Sequence, residues 1–525
     1  MRTPRGTARG GGRSGPLRAA LLVAAILVVV SPWRPGGSSD GLAVFRTSAS
    51  VAFERTFVLP KAPPGARIDP FYFPPSPDGT GVVSIYAPFG ALLGALLLRT
   101  ASLAPWPSLA GLLADGLASS APIAATALAV PLLARLLRHG GARKGPASAL
   151  SAALVLGTFL GPLGVTDFQE PWLVLFVSLS LEGALAARLL RGARRERALA
   201  RAGLAFSAAL LAKTSAAGIL PALVLAVLAP RRGESRARSL LAFGLAAVPG
   251  VSLALSLNAV RFGSPFESGY GVQLAHPLAR AVSPLWSAFR LTVLPNRGLL
   301  WYAPLLVVAP FVLARLLRGR RRVVAGSAVL GFGAFFAANV AWFAWEGGFG
   351  WGPRLLAPAV ACAAPLLAVR GKGLRVAAAL AVLGAVANLP AYLLEEGRLY
   401  RVAAADRAGE PLGPVVPIHR QSGGRGELAP LQRPHYVPRL APVFLGPRLL
   451  AALPRDGDGP SAGRSGAPRT RDAALLRALL GQPRAGGSET GRLLATEALV
   501  TAGSDPARAR RMASRAGTFG GAGPR

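Results

Sequence analysis

The stretch "VVSIYAPFGALLGALLL", residues 82–98, decides the fold of this chain. It is apolar and nearly as long as the ~20 residues that a membrane-spanning helix needs. Read as a span, it would move every later loop to the other side of the membrane. The basic residues arbitrate, because cytoplasmic loops keep an excess of Lys and Arg. Arg135, Arg138, Arg143 and Lys144 share one loop, and Arg188, Arg191, Arg194, Arg195, Arg197 and Arg201 the next basic one. Arg231, Arg232, Arg236 and Arg238, then Arg315, Arg318, Arg320, Arg321 and Arg322, then Arg370, Lys372 and Arg375 continue the series at every second loop. The intervening "TDFQE" (166–170) and "EGGFGWGP" (346–353) carry acids and no Lys or Arg. This alternation holds only if residues 82–98 do not cross. They read instead as an interfacial or re-entrant helix on the outer face, with Gly90 and Gly94 at the small-xxx-small spacing that suits close helix packing.

Outward from that stretch, eleven apolar runs stand as candidate spans: 16–33, 118–138, 146–165, 171–190, 199–213, 214–229, 239–258, 298–317, 323–344, 354–369 and 374–394. The expected fold is an all-α polytopic membrane protein with its N-terminus inside. Composition agrees, with 52% hydrophobic residues, only 16% charged and a positive mean hydropathy. The formal charge of +36 comes in short Arg clusters between apolar runs, not as a basic stripe with interleaved aromatics, which argues against nucleic acid as a partner. The basic start "MRTPRGTARGGGRSGPLR" and the apolar "AALLVAAILVVV" have the makings of a secretory signal. "SPWRPGGSS" follows without a small-residue cleavage site, which favours an uncleaved first helix.

The domains expected are a basic cytoplasmic segment (1–15), a transmembrane domain (16–394) with long outer loops at 34–117 and 259–297, a Pro-rich extracytoplasmic segment (395–454) and a disordered Arg/Gly/Pro-rich tail (455–525). Short amphipathic helices are expected in that tail near 473–480 and 492–500. Long loops on one face and short basic turns on the other place the chemistry outside.

Familiar sites are missing from the sequence. Four scattered histidines and a single cysteine, Cys362, offer no zinc-ligand spacing, and no phosphate-cradling Gly motif follows a strand. "DGDG" (456–459) imitates the D-x-D of soluble nucleotide-sugar enzymes but lies in the Gly/Pro tail. What remains is ionisable groups at outer helix ends and loops: Asp40, Arg46, Asp167, Glu170, Lys213, Arg261, Glu267, Arg297, Glu346 and Arg354. Charges at bilayer depth cost about 2.5–3.5 kcal/mol each on insertion scales, so these must snorkel, pair or line a polar cavity.

Each has a plain reading and a chemical one. "DGLAVFRTSASVAFERTF" (40–57) puts Leu42, Phe45, Ala49, Phe53 and Phe57 at helical spacing, so Asp40 can simply cap an amphipathic surface helix. It can also serve as a general base that takes a proton from an acceptor hydroxyl attacking a sugar. A lipid-phosphate leaving group would then need cations, and Lys213, Arg261, Arg297 and Arg354 are the candidates. Each of these alone also reads as a snorkelling anchor. Asp167 and Glu170 suit helix starts or acceptor binding, and Phe349 and Trp351 suit a Gly-rich turn or a sugar or prenyl site.

Taken in order, "SSDGLAVFRTS", "TDFQEPWLVLFVSLSLEGAL", "LLAKTSAAGILPALVL", "NAVRFGSPFESGYG", "PNRGLLWYAPLLVVAPF" and "WEGGFGWGPRLLAPAV" resemble polytopic glycosyltransferases of the GT-C superfamily, similar to protein O-mannosyltransferases and lipid A aminoarabinose transferases. The resemblance covers about residues 16–394. It implies an enzyme that transfers a sugar, with inversion, from a polyprenyl-phosphate carrier to an extracytoplasmic glycan, lipid or protein hydroxyl. Asp40 would be the base, Lys213, Arg261, Arg297 and Arg354 would hold donor phosphate, and Arg46, Asp167, Glu170 and Trp351 would serve acceptor or sugar. No cofactor or metal is expected, and the location implied is the cytoplasmic membrane with the active face outside. Two features depart from the pattern: Gly41 follows Asp40 where many members have a second acid, and "GTGVVSIYAPFG" lacks a Lys common before the re-entrant helix. A transporter or flippase of lipid-linked saccharide and a non-catalytic homologue are the alternatives.

Overall fold

The computed structural model describes residues 14–31, 39–60, 73–166, 169–229, 234–271, 283–348, 350–394, 400, 411–412, 429, 432–451, 511–515 and 518. Helix α1 (Ser14–Val30) leads to α2 (Ser39–Glu54). A two-stranded antiparallel ribbon follows, β1 (Val58–Pro60) paired with β2 (Gly81–Val83), with Val58 opposite Val83. The described elements are otherwise helical, and this short ribbon pins the long segment between α2 and the next helix by backbone pairing. Gly81 is required at that pairing, since a Cβ would overlap the carbonyl of Leu59.

The decisive stretch divides between β2 and α3 (Pro88–Ala101). At 1.5 Å per residue α3 is about 21 Å long, short of the ~30 Å hydrocarbon core, so it does not form a full span. Pro88 opens it, its missing N–H costing nothing at a first helical position. α3 lies against α2, where a Cβ on Gly94 would overlap the Ser48 hydroxyl and one on Gly90 would stand 3.0 Å from the Gln169 amide nitrogen.

The bundle continues with α4 (Pro107–His139), α5 (Lys144–Leu156), α6 (Leu160–Leu163), α7 (Glu170–Ala187), α8 (Gly192–Ala212), α9 (Leu220–Leu228) and α10 (Arg236–Phe262). After the second long loop come α11 (Pro284–Thr292), α12 (Leu299–Tyr302), α13 (Ala309–Leu317), α14 (Arg322–Ala341), α15 (Ala357–Cys362), α16 (Lys372–Leu393), α17 (Arg433–Tyr436) and α18 (Pro442–Ala451). Among the described residues five helices, α4, α7, α10, α14 and α16, are long and apolar enough to cross a membrane. The other expected spans are shorter or broken. Residues 298–317 divide into α12, a 3-10 turn and α13, and α15 is six residues between two 3-10 turns. Such interruptions are tolerated at membrane depth only inside protein, and every residue of α15 is buried.

The core runs along α4 and α7 through Leu133, Leu137, Leu154, Phe159, Leu181 and Leu223. Leu21, Val29, Leu128, Leu245, Phe311 and Val386 point outward, as lipid-facing side chains do. A second, smaller cluster joins α2, α3 and the start of α4. Its Ala49, Ala52, Ala95, Leu98 and Ala110 enclose Met512.

Met512 belongs to the tail expected to be disordered apart from two short helices. Residues 511–515 form a helical turn on α2, with Arg511 3.2 Å from Glu54 and the Arg515 guanidinium 5.0 Å from the centre of the Phe53 ring. The helices expected at 473–480 and 492–500 lie outside the described residues. Burying a Met side chain stabilises by about 1.5–3 kcal/mol, so Met512→Asp should release this turn and speed trypsin cleavage after Arg511 at least about tenfold. Equal cleavage rates in the two proteins would show that the contact does not hold the tail.

Candidate active site

A helix break positions the first cation. The apolar run 199–229 stops being α-helical at Lys213, whose extended backbone (φ −164°, ψ 129°) separates α8 from the 3-10 turn Thr214–Ile219. The chain thereby turns an amine toward the first residue of α7. Lys213 Nζ donates to Glu170 Oε1 at 2.6 Å, with the Glu170 side chain 1% exposed.

The second cation comes from the Gly-rich segment. Gly347, Gly348 and Gly352 have φ of 72°, 68° and 61°, left-handed values that favour glycine. The resulting loop turns carbonyls inward. Gly347 O accepts from Arg354 Nε, and the carbonyls of Gly348, Gly350 and Gly352 all accept from Arg297. Held this way, Arg354 donates from Nη2 to Asp40 Oδ2 at 2.5 Å while its Nη1 lies 3.9 Å from Glu170 Oε2.

Asp40 occupies the first turn of α2, where a negative charge suits the helix dipole. Its carboxylate reaches tertiary partners, because Tyr86 donates its hydroxyl to Oδ1 at 2.6 Å from the link between β2 and α3. That link is fixed by Arg261, 2% exposed, which donates to the carbonyls of Ser84 and Tyr86. The result is a chain of contacts, Tyr86–Asp40–Arg354–Glu170–Lys213, balanced in formal charge and assembled from five separate segments. Burial would raise the Asp40 pKa, but the Arg354 charge, hydrogen bonds from Tyr86 and Arg354, and the Lys213 charge outweigh it and hold the carboxyl below its ordinary value. Tyr270, in the long segment after α10, is pushed the other way by burial and by Asp40 and Glu170, so its hydroxyl stays protonated.

Beside this network lies a cavity of about 110 Å³. Ile85, Pro88, Leu210, Val251 and Leu255 give it apolar walls, and Thr214, Asn258 and Arg261 line it as well. Ile85 and Ala87 flank Tyr86, Thr214 follows Lys213, and Arg261 both lines the cavity and holds the Tyr86 carbonyl, so the cavity is walled by the chain neighbours of the network.

The sequence-derived residues therefore divide. Asp40, Glu170, Lys213 and Arg354 come together, with Arg261 one layer behind them. Arg297 lies apart from them: fully buried, it donates to the loop carbonyls, to Tyr400 Oη at 2.6 Å and to His435 Nδ1 at 3.1 Å. Trp351 is likewise internal, its indole N–H donating to Asn388 Oδ1 at 2.8 Å and its ring edge-on to Tyr302. Arg46 lies on another face of α2, 5.7 Å from the centre of the Phe73 ring. Asp167 and Phe349 lie outside the described residues. Tyr86 and Tyr270 escaped the sequence reading because a lone tyrosine in a loop has no periodicity to mark it.

No protein-family model and no curated protein matches the chain. Among solved structures it is similar to the archaeal oligosaccharyltransferase AglB from Archaeoglobus fulgidus, in complex with an inhibitory peptide and a dolichol-phosphate, at 16% identity and a TM-score of 0.43 over 74% of this chain. The chain spans 57% of the length of that protein. It is also similar to ArnT from Cupriavidus metallidurans bound to undecaprenyl phosphate, at 14% identity and a TM-score of 0.49, covering 97% of this chain and 76% of that one.

Proposed function

We propose that this protein transfers a sugar from a polyprenyl-phosphate carrier to a hydroxyl of an extracytoplasmic glycan, lipid or protein, with Asp40 as general base. One observation carries the reading: a carboxylate, 17% exposed, is oriented by a tyrosine and an arginine within a two-cation network that borders an apolar-walled cavity. In the proposed step the acceptor oxygen bonds to the anomeric carbon as its proton passes to Asp40. The bond from that carbon to the phosphate oxygen breaks, and its electron pair leaves with the phosphate. Lys213 and Arg354 offset the charge that develops there, the arrangement such a leaving group needs. Tyr86 orients the carboxylate, and Arg261 holds Tyr86.

The reading places the chain in the cytoplasmic membrane with its N-terminus inside and this network at the outer face. A transporter would be favoured by internal repeats and by charges near the bilayer midplane. The sequence shows no repeat at a fixed period, and Lys213 is paired with Glu170. Mass spectrometry of envelope glycans and glycoproteins from a deletion strain and an Asp40→Asn strain tests the assignment. Both should lose the same sugar, and an Asp40→Asn strain with a normal glycan profile and normal protein levels would refute it.

A further inference from the structure

At the other end of the bundle, about 27 Å away along the 18 residues of α7, arginines converge around the turn after α4. Gly141, at φ 100°, is pressed so closely that a Cβ there would overlap the Arg321 guanidinium and lie 2.8 Å from that of Arg370. Arg370 donates to the Gly141 carbonyl from Nε at 3.0 Å and Nη2 at 2.6 Å. Arg315 donates to the Ala368 carbonyl at 2.6 Å and stands within electrostatic reach of both Arg370 and Arg321. His139 beside them feels Arg138, Arg321 and Arg188. Among the described residues, no carboxylate forms an ion pair with Arg138, Arg315, Arg321 or Arg370, while Glu182 and Glu234 on neighbouring elements are taken by Arg201 and Arg195.

An excess of Lys and Arg at this end follows from the topology rule, but that rule asks for charge anywhere in the loops. It does not ask for two guanidinium groups side by side over one glycine. Like charges this close repel, and each guanidinium carries five N–H donors in a planar fork that suits the oxygens of a phosphate. The backbone carbonyls use only part of that set.

We infer that the Arg315–Arg321–Arg370 cluster binds the phosphate of an anionic phospholipid head group. The source is set by position. The cluster stands where α4, α13 and the segment before α16 end, and Phe311 and Leu317 on α13 are exposed beside it at 76% and 54%. A lipid phosphate at that interface reaches the arginines while its acyl chains lie along this apolar surface. A membrane surface also concentrates such anions around basic groups.

The test uses the purified full chain and native mass spectrometry, with phosphatidylglycerol and phosphatidylcholine of matched acyl chains as probes. Wild-type protein should retain phosphatidylglycerol over phosphatidylcholine by about tenfold or more, and Arg321→Gln/Arg370→Gln should abolish that preference. Arg143→Gln/Lys144→Gln removes the same charge from the adjoining exposed positions and should leave retention within about twofold, as a built site requires. Equal loss in the two double variants would reduce the effect to general surface charge and overturn the site. Equal retention of both lipids by wild-type protein, with or without capture of inorganic phosphate, would overturn the lipid assignment.

Discussion

Asp40→Asn is expected to slow sugar transfer by about 10³-fold, within the range a positioned general base contributes. Asn keeps the volume of the side chain and an oxygen that can accept from Tyr86 or Arg354, so the loss would report on proton transfer more than on shape. Tyr86→Phe removes one hydrogen bond to a charged group and leaves the base in place. A smaller loss, about 10- to 150-fold, is expected for it, corresponding to the 1.5–3 kcal/mol that hydrogen bonds to charged groups are worth. The pH profile separates the two variants further. Because the folded-state pKa of Asp40 is lowered, the base form persists through the ordinary carboxylate range and is lost only as pH falls through the lowered value. Its contribution to stability has the same sign: present above the unfolded pKa, lost as pH falls through the folded one. The acidic limb of kcat/KM for the proposed transfer should therefore lie below pH 3.8 in the wild-type protein. It should move upward when Arg354 is neutralised, because burial then acts with less opposition. An acidic limb that does not respond to Arg354 would remove Asp40 from the role of base.

The membrane fold was legible because it is written in long-range composition. Apolar runs and alternating basic loops are sums over many residues, and such sums survive the loss of any one of them. They located α4, α7, α10, α14 and α16, and they kept residues 82–98 from being read as a crossing. The site was legible in part, for a specific reason. Asp40, Glu170, Lys213 and Arg354 are charges in apolar surroundings, and the cost of burying them flagged each one singly. Their pairing joins residues 314 positions apart, which one sequence does not encode. Arg297 carried the same flag but meets the carbonyls of Gly348, Gly350 and Gly352, because nothing local distinguishes an arginine bound for an anion from one bound for carbonyls. The glycines of "EGGFGWGP" held that information, since left-handed residues turn carbonyls toward a cation. The ribbon of β1 and β2 was missed because three-residue strands leave almost no alternation to read.

Arg354 is where the stability of the site and its chemistry meet. Its side chain is 8% exposed, and it bridges two carboxylates from different helices. Arg354→Gln would leave Asp40 and Glu170 facing each other across the gap with one cation, Lys213, bonded to Glu170. Breaking a buried ion pair on one side costs about 3–5 kcal/mol, most of it the stranded charge. Asp40 is partly exposed, so about 3 kcal/mol is expected, read as a lowered thermal midpoint and earlier chemical unfolding in detergent. The double variant Arg354→Gln/Asp40→Asn removes the stranded charge while Lys213 still satisfies Glu170. It should recover at least about 1 kcal/mol relative to Arg354→Gln alone, the scale of coupling between residues in direct contact. The recovered protein should be folded and inactive, since both the base and one of the cations are gone. If the double variant is no more stable than Arg354→Gln, the loss would lie in the hydrogen bond to Gly347 and the packing of the guanidinium. Arg354 would then hold the Gly-rich loop in place, and its charge would have little part in holding Asp40.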